Sequence, residues 1–162
     1  ATIAFAKGDL NAAQSYAEKA QKIDGNNAES NANLGLLALA AGNVKEAENY
    51  IAKAGTAVGI NEIVGNLNLM KGNYAQAEQD FAGINSNSAA LTQILNKNYN
   101  AAANTLSNIK NADATTDYLK AILNARLGKN ADAATALKAA ISKDSSFAKY
   151  AENDIELKNV SK

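Results

Sequence analysis

Two pairs of carboxylates have a spacing that could do chemistry: Asp113 with Asp117, and Glu152 with Glu156. On a helix, residues four apart share a face, so either pair could hold one proton between two acids. General acid–base work needs such a pair set against a polarised substrate, or else a Ser/Lys arrangement in place of a histidine or thiol. The chain has no histidine and no cysteine. Imidazole bases, thiolate nucleophiles, Cys/His zinc and His-ligated iron or copper are therefore out of reach. No phosphate-cradling glycine loop or metal-ligand cluster stands in the sequence. Both carboxylate pairs read as helix caps or solvated helix ends. The expectation is a protein that is not an enzyme, with no catalytic residue, no cofactor and no metal.

Charge narrows the partners. Sixteen basic and sixteen acidic residues cancel, and both signs are spread along all 162 residues. A nucleic-acid surface needs a basic stripe that displaces counterions, and none is visible, so no nucleic acid is expected. The longest apolar run, Leu34 to Ala41, is about half of a membrane span, so direct membrane insertion is not expected either. Hydrophobic residues make up 47% but aromatics only 6%, because much of the apolar content is alanine, the best helix former. Proline is absent, so no helix is broken from within. With no strand or hairpin signal, an all-α chain follows.

The elements repeat. Gly8-Asp-Leu-Asn-Ala-Ala13, Gly42-Asn-Val-Lys-Glu-Ala47, Gly72-Asn-Tyr-Ala-Gln-Ala77, Lys97-Asn-Tyr-Asn-Ala-Ala102 and Gly128-Lys-Asn-Ala-Asp-Ala133 each close one helix and open another. Aligned on Ala13, Ala47, Ala77, Ala102 and Ala133, the intervals are 34, 30, 25 and 31 residues. Twelve residues upstream stand Ala1, Gly35, Gly65, Ala90 and Ala121, all small. Four residues downstream come Ala17, Ile51, Phe81, Leu106 and Leu137, and seven downstream Ala20, Ala54, Ile84, Ile109 and Ala140. A small residue in each first helix lets its partner approach closely, and the apolar residues fall on one stripe of the second. The turn residue takes the left-handed conformation, so Lys97 is expected there with a positive φ. Asp9, Asn43, Asn73 and Asn98 are expected as N-caps, with capping boxes from Asn43 to Glu46 and from Asn73 to Gln76.

This pattern resembles the tetratricopeptide repeat, a 34-residue helix-turn-helix unit. The best match runs from Asn33-Leu-Gly-Leu through Gly42-Asn-Val-Lys-Glu-Ala47 to Ile51 and Ala54. The signature tryptophan is missing, the first-helix tyrosine is replaced by Ala38, Asn68, Gln93 and Asn124, and Gly25, Gly59 or Ser145 stands for the terminal proline. The resemblance implies a right-handed superhelical solenoid of antiparallel helix pairs with a C-terminal capping helix. Residues 1–145 would form about four and a half repeats, truncated at the N-terminus because Ala1 falls within a first helix, and residues 146–162 the capping helix and tail. Helices are expected near 1–7, 9–23, 27–41, 43–56, 59–71, 73–83, 87–96, 98–109, 113–127, 130–143 and 146–158.

In that family the first helices line a concave groove that holds partners. Carried over, the groove would comprise Leu36, Ala40, Glu62, Asn66, Met70, Tyr118, Ile122 and Arg126, with Ala32, Leu39, Leu69, Leu91 and Leu95 beside them. Most of the leucines also suit a core. Asn66, Tyr118 and Arg126 are the polar candidates, expected to face solvent. A clamp for the C-terminal carboxylate of heat-shock chaperones would need lysine, arginine and asparagine where Ala32, Leu36, Gly59 and Ile63 stand, so that role is not implied. The stretches Tyr118-Leu-Lys-Ala-Ile-Leu-Asn-Ala-Arg-Leu-Gly, Ala136-Leu-Lys-Ala-Ala-Ile and Asp144-Ser-Ser-Phe resemble the closing repeat of exported tetratricopeptide proteins from Bacteroides-like bacteria. The absence of cysteine agrees with a periplasmic or cell-envelope location. The resemblance implies a non-enzymatic scaffold that binds a protein or peptide. The alternatives are a structural spacer or self-association module, or a helical accessory domain of a cell-wall or glycan-acting protein.

Overall fold

The computed structural model describes Lys22 and residues 27–161. The first repeat, with Ala1, Ala13, Ala17, Ala20 and Gly25, lies outside the described residues, as do the expected helices over 1–7 and 9–23 apart from Lys22. Nine α-helices and one 3-10 turn make up the described residues, with no strand among them. The chain divides into two compact units, Ala1–Ala82 and Gly83–Lys162.

In the first unit, α1 (Ala28–Ala40) and α2 (Val44–Ala54) form one hairpin, and α3 (Ile60–Met70) and α4 (Tyr74–Asp80) the next. Helix α3 packs on α4 and also on both helices of the preceding hairpin. In the second unit, α5 (Asn87–Leu95) pairs with α6 (Tyr99–Asn108), and α7 (Ala114–Arg126) with α8 (Asn130–Lys143). Helix α7 also packs on α5, on α6 and on the 3-10 turn Ile155–Leu157, while α9 (Ser146–Glu152) packs on α8.

Among the described residues one turn is used four times. After α1, the N–H of Gly42 donates to Leu39 O at 3.0 Å and that of Asn43 to Ala38 O at 2.8 Å. The same two bonds run from Gly72 to Leu69 (3.1 Å) and Asn73 to Asn68 (2.9 Å), and from Lys97 to Ile94 (3.0 Å) and Asn98 to Gln93 (2.8 Å). They recur from Gly128 to Ala125 (3.0 Å) and Lys129 to Asn124 (2.8 Å). This is the Schellman motif, which satisfies the orphan carbonyls of the first helix around one left-handed residue. The next carbonyl then starts the second helix: Asn43, Asn73, Asn98 and Lys129 accept from Ala47, Ala77, Ala102 and Ala133 at 2.9–3.0 Å. Lys97 has φ 62°, the one positive φ outside glycine among the described residues.

The expected side-chain caps at these turns do not form. Asn43, Asn73 and Asn98 hold the N-cap position with ψ of 74°, 65° and 71° and no side-chain bond to the helix start. Emerging from a Schellman turn sets that backbone angle, short of the extended conformation that aims a side-chain oxygen at the next turn. Asn43 reaches the Glu46 carboxylate at 3.5 Å, and Gln76 bonds Asp80, so neither capping box exists. Side-chain caps occur where a first helix starts instead: Asn27 on Ser30 N, Ser86 on Ala89 N, and Asp113 on Thr116 N in a full capping box.

The small-residue crossings are tight. A Cβ on Gly35 would lie 3.1 Å from Ile51 Cγ1, and one on Gly65 would lie 2.7 Å from the Phe81 ring. Ala90 and Ala121, at the same register, are fully buried, as are Ala47, Ala77, Ala102 and Ala133. Phe81, Leu106 and Leu137, four residues after Ala77, Ala102 and Ala133, are buried as well. The expected single helix over 146–158 needs correction. It stops at Glu152, Asp154 turns extended (φ −87°, ψ 114°), and its side chain caps Glu156 N at 2.9 Å to start the 3-10 turn.

Two substitutions test this register from opposite directions. Gly65→Ala gains about 1 kcal/mol of helix propensity but forces the buried Phe81 ring to move, which costs roughly 1–3 kcal/mol. Net destabilisation is expected in urea melts, and a stabilised variant would show that the crossing is loose. Lys97→Gly removes a left-handed side chain worth about 1 kcal/mol of strain, so its midpoint should hold or rise.

Candidate functional site

Five of the expected groove residues sit on α1 and α3, which pack on one another. Leu36 is 37% exposed and Ala40, one turn on, is exposed. Glu62 is exposed, Asn66 and Met70 are half-buried, and the Asn66 amide donates to Glu62 O at 2.9 Å. Met70 packs its inner side on the cluster around Leu39, Ile63 and Leu67. The accessible strip is thus aliphatic at Leu36, Ala40 and Met70, with a carboxylate at Glu62. Ala32, Leu39 and Leu69 are buried in the first unit, so they form core rather than groove floor. Leu91 and Leu95 on α5 are half-buried.

The second unit corrects two expectations. Tyr118 and Arg126 do not present free polar groups to solvent. Tyr118 is 4% exposed, stacks on Phe147 with ring centroids 4.9 Å apart, meets Tyr150 edge-on at 5.5 Å, and donates its hydroxyl to Asp154. Burial, and then that hydrogen bond to a carboxylate, push the phenol well above its ordinary pKa. Arg126 grips Glu156 with both prongs, Nε to Oε2 at 3.0 Å and a terminal nitrogen to Oε1 at 2.5 Å. Its other terminal nitrogen donates to Ile94 O at 3.0 Å, at the end of α5. The bidentate bond from Arg126 holds the Glu156 carboxyl below the usual range against the opposing effect of burial, and raises Arg126 in return. Ile122, between Tyr118 and Arg126 on the same face, is half-buried against two core clusters.

The paired carboxylates do not work as pairs. Burial acts to raise Asp113, but bonds from Thr116 N, the Asn87 amide and the Thr116 hydroxyl outweigh it and keep the carboxyl ionised at the head of α7. Asp117 is 8% exposed and pairs with Lys143 at 2.7 Å and Lys120 at 3.8 Å. Glu152 is exposed while Glu156 belongs to Arg126. Among the described residues no group of three or more acidic, histidine or cysteine side chains is placed to hold a metal ion, and no helix is long and apolar enough to cross a membrane.

Two bonds that helical spacing alone does not predict tie α7 to Asp154 and Glu156. Their signal was present as Asp-x-Glu after the last helix and as Tyr118 and Arg126 two helical turns apart. Neither a protein-family model nor a curated protein sequence matches the chain.

Because the Glu156 carboxyl is depressed in the folded state, the unfolded chain takes up its proton first. Its contribution is present above the unfolded pKa and is lost as pH falls through the folded one. Between roughly pH 5 and pH 3, Glu156→Gln should therefore lose less stability than the parent chain. Parallel denaturation curves for the two chains across that window would contradict the pairing.

Proposed function

We propose that this chain is a binding module of tetratricopeptide type, in which stacked hairpins wind as a right-handed superhelix and the first helices hold a segment of a protein partner. It does no chemistry of its own in this reading. The repeated Schellman turn with its buried alanine, four times in register with a small residue in the preceding helix, is the observation that carries it. Such a unit cannot bury its apolar stripe alone and is stabilised by stacking, which leaves one side of the first helices for recognition. Packing of α3 on α1, and of α7 on α5, agrees with that arrangement.

The strip on α1 and α3 supports a partner with aliphatic anchors and a basic residue. Leu36, Ala40 and Met70 offer apolar contact, and Glu62 offers the one charge among the five. Helix-in-groove and extended-segment recognition both use this mixture, with apolar burial for affinity and a rim charge for register.

A displayed library of random peptides tests the reading while the partner is still unidentified. Selected peptides should carry aliphatic and basic residues and should bind at least about tenfold more weakly to a Leu36→Glu, Glu62→Lys chain, a difference of about 1.4 kcal/mol. Peptides that hold the altered chain equally well, while its melting is unchanged, would contradict the proposed face.

A further inference from the structure

Residues 153–161 lie against α7 in the manner of a bound ligand. They make one short 3-10 turn, held by Leu157 N to Asp154 O at 3.1 Å, Lys158 N to Ile155 O at 3.4 Å and Val160 N to Leu157 O at 3.1 Å. Backbone bonds from Asn153 to Tyr150 O and from Asp154 to Ala151 O join the start of the segment to α9, and side chains attach it to α7. Asp154 takes the Tyr118 hydroxyl and Glu156 takes the Arg126 guanidinium. Leu157 is fully buried and Val160 is 5% exposed, both within the cluster of Tyr118, Ala121, Leu137 and Ala151. Ile155, between the two carboxylates, is 84% exposed. The contacts follow the direction of α7: Asp154 at Tyr118, then Glu156 at Arg126, two helical turns along.

We propose that the face of α7 is a peptide-binding groove which the chain's own residues 153–161 occupy in cis, and which opens to an acidic, aliphatic segment of a partner protein. The segment would repeat the pattern Asp-x-Glu-Leu-x-x-Val found at Asp154–Val160. One carboxylate accepts from the Tyr118 hydroxyl, a second pairs with both prongs of Arg126, and two aliphatic side chains fill the pockets of Leu157 and Val160. This rests on the first helices being the partner face, and it names the ligand class at the last repeat. It also accounts for the two candidates that offer no free polar group: Tyr118 and Arg126 are already bound.

The occupant is built to be displaced. Its ion pair is only partly shielded, with the side chains of Arg126 and Glu156 22% and 31% exposed, so water and salt compete for it. No long helix continues into it, since α9 ends at Glu152. Tethering sets the threshold, because a linked segment acts at an effective concentration on the order of millimolar. A partner must exceed that by affinity or by its own avidity. The donor pair of a hydroxyl and a guanidinium selects carboxylates, so the surface of α7 calls for an acidic segment, whereas the strip on α1 and α3 calls for a basic one.

The test uses the full chain and a labelled peptide, Glu-Asn-Asp-Ile-Glu-Leu-Lys-Asn-Val-Ser, copied from residues 152–161. Glu156→Lys repels Arg126 and should free the groove, so that the peptide binds this variant at least tenfold more tightly than the parent chain. A peptide with lysine in place of its second glutamate should bind neither. Equal binding to both chains, or none to either with the variant still folded, overturns the proposal. Hydrogen exchange on the unaltered chain decides independently of how the variant folds. The amides of Leu157, Lys158 and Val160 should exchange at least tenfold faster than those of Ala121 and Leu123, by local opening. Exchange at the rate of α7 would make the segment a fixed part of the core and overturn the proposal. Sedimentation of the unaltered chain as a dimer, with the segment swapped between copies, overturns it in favour of self-association. Failure here leaves the α1–α3 strip untouched, because the acidic peptide probes only the face of α7.

Discussion

Each hairpin depends on a crossing where one helix has almost no side chain and the other supplies the bulk. Gly35 faces Ile51 and Gly65 faces Phe81, at distances that leave no room for a Cβ without movement. In the second unit the undersized residue is alanine: Ala90 shares a cluster with Leu106, and Ala121 with Leu137. At Gly65 the missing side chain is matched by the largest partner, the Phe81 ring. Interiors packed at crystal-like density demand such complementarity, since a gained methylene on one side must be lost on the other. Close approach is also what makes an alanine-rich core workable. Alanine buries little apolar area, so these helices rely on many close contacts and on backbone groups that are fully bonded.

The chain distributes its capping by position. Three of the four described first helices begin with a side chain that accepts from the backbone, at Asn27, Ser86 and Asp113, and α3 begins instead at the left-handed Gly59. Second helices begin out of a Schellman turn, in which two backbone bonds and a left-handed residue fix the reversal. Identical turns give nearly identical hairpins, and within each unit that identity lets successive hairpins pack through their first helices. At the last hairpin the series changes: α9 and residues 153–161 fold back on α8 and α7, and the polar residues of α7 acquire partners from the chain itself. Function in this reading is divided between an accessible strip on the first unit and an occupied one on the second.

Most of this was legible from spacing. The anchor alanines, the small residues twelve positions before them and the apolar positions four after them define the helix pairs, because a repeat averages out the noise of any one segment. Even Lys97 could be read as a left-handed residue, since it occupies the slot of four glycines, Gly8, Gly42, Gly72 and Gly128. Three features could not be read. Asn43 and Asn73 look like capping residues, but the turn before them sets a backbone angle that takes their side chains away. Tyr118 and Arg126 look solvent-facing by register, because register within a helix does not report what lies across from it. The halt of the last helix at Glu152 depends on Asp154 meeting a tyrosine 36 residues earlier in the chain, a contact that no local pattern encodes.

The crossing at Gly65 is where the repeat is most open to disproof. In a solution NMR spectrum, the Gly65 α-proton that takes the place of a Cβ should be shifted from its random-coil position by the Phe81 ring current and should show cross-relaxation to the ring protons. Unshifted α-protons with no contact to Phe81 would mean that the paired helices do not meet on their small residues, and the repeat would lose its physical basis.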